Sequence, residues 1–154
     1  KPKMAEYMSV EGGVGLTDVL IGKVTLDQAI QRWGRTELHL LPAGQIPPNP
    51  SELLGSSLME TLIGEVDTRF DVVLYDAPPL LPVTDAAVLA RLVGGALVIC
   101  AAGKTHVPQL DSALAALENV GAPISGIVLT MLPTRGPDAY GYGRYGYTYA
   151  EYTN

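Results

Sequence analysis

Two hydrophobic patterns alternate along the chain. Apolar runs of strand length lie at Leu38 to Leu41, Val72 to Tyr75, Ala96 to Ala102 and Ile124 to Met131. Between them apolar residues recur at helical spacing. Leu54, Leu58, Leu62, Val66 and Phe70 fall four apart, and Leu110, Leu114 and Leu117 form a second stripe with Ala113 filling it. Ser51 reads as the cap of one helix. Thr84-Asp85 reads as the start of another over Ala86 to Leu92, and Pro108 suits the first turn of a third. In front lies a helical region, Gly15 to Trp33, broken near Gly22.

Strand and helix in strict alternation predict an α/β fold, a parallel sheet with helices packed on both faces. The runs at 72–75 and 96–102 are uninterrupted, as expected of central strands buried on both sides. From Arg135 onward no aliphatic residue larger than alanine occurs, and Tyr140, Tyr142, Tyr145, Tyr147, Tyr149 and Tyr152 crowd in among glycines. The expected organisation is therefore one domain over residues 1–133 and a flexible tyrosine-rich tail over 134–154.

Composition narrows this picture. Apolar residues make up 47% of the chain and charged residues 17%, enough apolar material for a core. The net charge of -6 argues against nucleic acid as a partner. The single cysteine, Cys100, sits in an apolar run and reads as a small core residue of a reducing compartment. No apolar run is long enough to span a membrane. Lys1-Pro2-Lys3 reads like the middle of a longer chain.

Three stretches carry candidate chemistry. The first is Val72-Val73-Leu74-Tyr75-Asp76-Ala77-Pro78-Pro79, an apolar strand running straight into an aspartate and two prolines. Ligands of open parallel sheets bind beyond the C-terminal ends of strands, and a carboxylate there can hold Mg²⁺ through water beside nucleotide phosphates. The prolines stiffen the turn. An aspartate that merely caps the next turn is the competing reading. The second stretch is Leu41-Pro42-Ala43-Gly44 followed by Pro47-Pro48-Asn49-Pro50-Ser51-Glu52-Leu53-Leu54, a stiff crossover from strand to helix with no acid, base or nucleophile of its own. The third is the tail. By itself it reads best as a low-complexity end. Its charge (Arg135 and Arg144 against Asp138 and Glu151) disfavours an aromatic strip for nucleic acid, and a cluster of phosphate acceptors is the third reading.

Gly103-Lys104-Thr105 mimics the end of a phosphate-binding loop. The glycine that such a loop needs five residues earlier is Val98, so Lys104 reads as a solvated charge and Thr105 as a turn or cap residue. His39 and His106 have no metal-ligand spacing.

Taken together, these parts resemble the bacterial tyrosine kinases (BY-kinases), the cytoplasmic autokinases of exopolysaccharide and capsule export. Leu41 to Gly44 with Pro47 to Leu54 is similar to the family's LPxG…PPNPxELL stretch. Val72 to Pro79, followed by Leu81-Pro82-Val83-Thr84-Asp85-Ala86, resembles its Walker B strand. Gly15 to Gly22 resembles its GLSDVLxG helix start, and the terminal tyrosines resemble its autophosphorylation tail.

The resemblance implies a P-loop NTPase-like fold of the deviant-Walker kind, truncated at its N-terminus. Asp76 would be the catalytic, Mg²⁺-holding carboxylate, and Thr130 and Pro133 would lie at the nucleotide; relatives often carry Asn, which contacts adenine, where Thr130 stands. ATP would be the phosphate donor, with Tyr140, Tyr142, Tyr145, Tyr147, Tyr149 and Tyr152 as acceptors, on a neighbouring subunit of a ring-shaped homo-oligomer. Further implied partners are a membrane-embedded activator that regulates polymer length, fused or separate, and a tyrosine phosphatase, at the cytoplasmic face of the inner membrane. The family's Walker A loop and second aspartate motif would lie upstream of Lys1, so the chain alone is expected not to turn over ATP. Another deviant-Walker ATPase, or a non-catalytic remnant serving as a phosphorylatable binding module, are the alternatives.

Overall fold

A computed structural model describes residues 3–82 and 85–133. Its N-terminal half is helical around one short hairpin. Helices α1 (Met4–Met8), α2 (Leu16–Leu20) and α3 (Leu26–Ala29) precede strands β1 (Gln31–Arg32) and β2 (His39–Leu40). Helices α4 (Pro50–Leu54), α5 (Ser57–Arg69) and α6 (Asp85–Ala90) follow, then strand β3 (Ala96–Ala101), helix α7 (Val107–Asn119) and strand β4 (Ile124–Thr130).

Local signals account for most boundaries. Gly22, at φ +73°, supplies the left-handed residue that ends α2, so the predicted break falls where the sequence places it. Thr25 then caps α3. Its hydroxyl accepts the Gln28 amide at 3.3 Å while the Gln28 side chain accepts the Thr25 amide at 2.9 Å, a reciprocal pair that satisfies two first-turn donors. Pro108 lies in the first turn of α7, as expected. Thr105 is the turn residue its position suggested: its hydroxyl accepts the Ala101 amide at 3.0 Å, beside Gly103 at φ +70°.

The parallel sheet is present as β3 and β4, paired from Leu97–Gly126 to Ala101–Thr130 with an irregularity after Ala96. Two predicted strands behave differently. The run at 38–41 contributes β2, which pairs antiparallel with β1. Gly34 at φ +58° reverses the chain locally, and the Trp33 amide closes the turn on the Leu38 carbonyl at 2.8 Å, so this strand pairs with its sequence neighbour. The run at 72–75 is extended but has no strand partner among the described residues. Its alternation is clear. Val73 and Tyr75 pack on the core, whereas Val72 and Leu74 are 75% and 84% exposed. The same one-sidedness holds for β3, where Val98 and Cys100 face inward and Leu97 and Ile99 are 57% and 61% exposed. The continuous apolar runs predict burial on both faces; the described residues cover one.

Two clusters form the core. The larger gathers Leu20, Leu26, Met59, Leu62, Ile63, Val66 and Leu89; the smaller holds Ala90, Leu117 and Ala122 beneath β3 and β4. Helix α6 joins them, since Leu89 belongs to one and Ala90 to the other.

The stripe at 54, 58, 62, 66 and 70 is only partly realised. Ser56 caps a new helix, its hydroxyl accepting the Met59 amide at 3.3 Å, and this breaks the phase after Leu54. Leu58 then faces solvent and Met59 fills the core position. Met59→Ala is therefore expected to cost about 2–5 kcal/mol in a urea titration, and Leu58→Ala less than about 0.5 kcal/mol. Equal costs would show that the helix is rotated from this placement.

Candidate functional site

Asp76 stands at the C-terminal end of the extended 72–75 segment. The segment is anchored from below by Val73 and Tyr75 in the larger cluster, and the chain is pinned again at Leu80, which packs on the smaller one. Between these anchors Asp76, Ala77, Pro78 and Pro79 are exposed. No hydrogen bond or ion pair engages the Asp76 carboxylate among the described residues, so the reading in which it caps the next turn finds no support there. The turn therefore presents a free carboxylate on a short, doubly anchored, proline-stiffened span. No group of three or more His, Cys, Asp or Glu side chains that could hold a metal occurs among the described residues. A lone carboxylate of this kind fits Mg²⁺ held largely by water and phosphate oxygens, and does not fit an all-protein cage.

Directly below Asp76 lies a feature that sequence reasoning missed. The Tyr75 hydroxyl is buried with no hydrogen-bond partner among the described residues. Burial pushes its pKa up, and the negative charge of Asp67 adds to the effect. The sign of the pH dependence follows. The folded phenol holds its proton to higher pH than the unfolded one, so its contribution is intact below pH ~10 and is lost as pH rises beyond that value. Tyr75→Phe removes a buried hydroxyl that lacks a partner. It is expected to stabilise the fold by about 1 kcal/mol and to flatten the alkaline limb of a stability profile. A destabilised Phe variant would show that the hydroxyl has a partner.

The Gly15–Gly22 stretch meets the Leu41–Gly44 stretch. Helix α2 docks its N-terminus on the Leu41–Gly44 strand end: the Leu16 amide bonds the Pro42 carbonyl at 2.7 Å and the Thr17 amide the Ala43 carbonyl at 3.1 Å. Asp18, only 7% exposed, locks the joint by accepting the Gly15 amide at 3.1 Å, with Lys23 at 3.8 Å from its other oxygen. Gly44 is there for space as well as for its φ of +74°, because a Cβ on it would lie 2.7 Å from the Asp18 carboxylate. Beside this joint a cavity of about 460 Å³ opens between α2 and the proline loop, walled by Ile21, Ile46, Pro47, Pro48, Leu53 and Leu58. Asp18 carried no functional signal in sequence; its burial shows only in the fold.

Ser51 is not the cap of α4. Asn49 occupies the cap position of α4, Pro50 is in its first turn, and the Ser51 hydroxyl donates to the carboxylate of Asp85, the first residue of α6. The Thr130 hydroxyl is turned into the sheet, donating to the Cys100 carbonyl at 3.1 Å. Pro133 is exposed and is the last described residue. The expected acceptors Tyr140, Tyr142, Tyr145, Tyr147, Tyr149 and Tyr152, like the 134–154 tail as a whole, lie outside the described residues.

No family model matches the chain. Individual proteins do. It is 35% identical over 142 residues to the tyrosine-protein kinase YwqD of Bacillus subtilis, covering 92% of this chain and 60% of that protein. It is 37% identical over 144 residues to the tyrosine-protein kinase wzc of Salmonella typhi, covering 94% of this chain and 20% of that protein. Among solved structures, the kinase domain of the Escherichia coli tyrosine kinase ETK superposes with a TM-score of 0.85 at 34% identity, covering 93% of this chain and 56% of that one. The chain thus spans about 60% or less of the length of these relatives. Both measures of likeness run over nearly all of its residues: in sequence and in its P-loop NTPase-like α/β fold the chain is similar to bacterial tyrosine kinases.

Proposed function

We propose that this chain is the Walker B and acceptor-bearing part of a protein-tyrosine autokinase that transfers the γ-phosphate of ATP to tyrosines in 140–152 and thereby regulates exopolysaccharide or capsule export. The observation that carries this reading is the exposed, unpartnered Asp76 carboxylate on its anchored diproline turn. When bound, Mg²⁺ supplies neutralisation of the charge on the phosphoryl group in transfer. Asp76 holds a fixed negative charge where that ion is needed, and Pro78 and Pro79 limit how far the carboxylate can wander.

The phosphate-gripping loop would come from a segment upstream of residue 1. Such a segment would find backbone along 72–75 and along one edge of β3 that has no strand partner among the described residues, next to the exposed Val72, Leu74, Leu97 and Ile99. An added parallel strand with a covering helix would bury these side chains and give the runs the two-sided burial their composition predicts. Base recognition would differ from that of relatives with Asn at the position of Thr130, because the Thr130 hydroxyl is already committed to Cys100. The partners would be further copies in a ring, a membrane-embedded activator and a tyrosine phosphatase. No described helix is long and apolar enough to cross a membrane. Attachment at the cytoplasmic face would run through the activator, fused or separate.

The test is phosphosite mapping by mass spectrometry on the full-length protein incubated with ATP and Mg²⁺. Phosphate is expected on tyrosines within 140–152. Phosphate confined to serine or threonine would overturn the kinase reading.

A further inference from the structure

The turn that carries Asp76 is fixed before Asp76 by Val73 and Tyr75 and after it by Leu80. Its exit runs into α6, and α6 is itself held from outside. The Ser51 hydroxyl of α4 donates to the Asp85 carboxylate across 34 residues of sequence, in a partly buried setting. One turn further along, α4 and α6 come close because residue 55 is glycine; a Cβ there would lie 3.3 Å from Val88 Cγ1 and 3.3 Å from the Ser51 carbonyl. Helix α6 also ties the two core clusters together through Leu89 and Ala90, and the smaller cluster is the one on which Leu80 rests. A shift of α6 against α4 is therefore passed to both ends of the span that presents Asp76.

From this arrangement we infer that Ser51 and Asp85 are positioning residues for Asp76: their hydrogen bond sets the seat of α6 and, through it, where the Asp76 carboxylate stands. The bond suits that task. A hydroxyl donating to a carboxylate is about twice as strong as a neutral pair and has a narrow geometry, whereas the glycine–valine contact beside it resists approach and not separation. The negative charge of Asp85 also lies in the first turn of α6, where the helix dipole favours it. The inference assigns a task to the Ser51 and Asp85 positions of two motif stretches that the proposed chemistry leaves idle. It rests on Asp76 serving the kinase reaction proposed above.

The experiment uses the full-length kinase with wild type, Ser51→Ala, Ser51→Thr, Asp85→Asn and Asp76→Asn compared side by side. Ser51→Ala is expected to lower kcat for tyrosine transfer about tenfold and to raise several-fold the Mg²⁺ concentration giving half-maximal rate. Ser51→Thr, which keeps the hydroxyl, is expected to restore both. Asp85→Asn keeps the acceptor and is expected to fall between. Amide hydrogen exchange, which needs no activity, should show several-fold faster exchange at Ala77, Leu80 and Leu81 in Ser51→Ala with α5 unchanged. A Ser51→Ala protein with unchanged kcat, Mg²⁺ dependence and exchange at those amides overturns the positioning role while leaving the kinase reading intact. Faster exchange throughout the fold, α5 included, reduces the bond to general stability and overturns it too. A wild type that transfers no phosphate to tyrosine overturns the kinase reading, and the positioning role with it.

Discussion

Asp76→Asn in the full-length kinase is expected to cut tyrosine labelling by about 10²–10³-fold while leaving the thermal transition within about 0.5 kcal/mol of wild type. The two halves of this expectation have separate causes. Asparagine keeps the shape of the side chain and removes its charge. The proposed water-mediated Mg²⁺ site would lose the charge that Asp76 brings to it, and no group of three or more His, Cys, Asp or Glu side chains among the described residues stands in for it. Stability should be indifferent, because Asp76 is exposed and bonds to nothing described. Labelling measured with radioactive ATP and melting measured by calorimetry check the two halves on the same preparation. Labelling retained within threefold would remove Asp76 from the phosphoryl-transfer machinery. A large loss of stability would mean that the carboxylate has a structural partner, and the labelling result would then no longer speak for metal binding.

How much of this was legible in sequence depended on whether a signal was local. The left-handed break at Gly22, Pro108 in the first turn of α7 and Thr105 in its turn each depend on a few neighbouring residues, and each is found where expected. The Lys104 and Thr105 amides both bond the Ala101 carbonyl, at 3.1 and 2.9 Å, in a local turn of the same kind. The phase of α5 was not local. A strict spacing of four drifts by about 40° per step around a helix with 3.6 residues per turn, and the cap at Ser56 restarts the count, so Met59 and not Leu58 is buried. Sheet pairing was less local still. The run at 38–41 looks like any other strand, and only the turn at Gly34 assigns it to a hairpin. Within the candidate site, Asp76 could be read from the strand that precedes it. Ser51 could not: its residue type suggests a cap, and the carboxylate its hydroxyl bonds is 34 residues away. Asp18 was hidden in the same manner, since an aspartate near a helix start is ordinary in sequence and its burial depends on the Pro42–Gly44 backbone folding over it.

That backbone joint is where a single methyl group should do the most damage. Gly15 has φ -174°, extended backbone that any residue adopts, so conformational strain is not the issue. Space is. A Cβ on Gly15 would lie 2.1 Å from the Pro42 carbonyl oxygen and 2.5 Å from the Gly44 amide nitrogen. Both are backbone atoms and neither can swing aside as a side chain would. Pro42 is fully buried, and its carbonyl holds the Leu16 amide at 2.7 Å. Relieving the clash must lengthen that bond, the Thr17–Ala43 bond at 3.1 Å and the Gly15–Asp18 bond at 3.1 Å, leaving Asp18 as a buried carboxylate without its backbone donor. Overpacking of this kind and exposure of an unsatisfied buried acid are among the few mechanisms that give large single-residue losses. Gly15→Ala is therefore expected to cost about 3 kcal/mol or more in a urea titration. Gly64→Ala is the matched control. Gly64 lies inside α5 with nothing within 4 Å of its would-be Cβ, and the same methyl there is expected to stabilise by about 1 kcal/mol. Opposite signs from one chemical change would locate the effect in the contact between Gly15 and Pro42. An unchanged midpoint for Gly15→Ala would mean that the two motif stretches do not meet as closely as described.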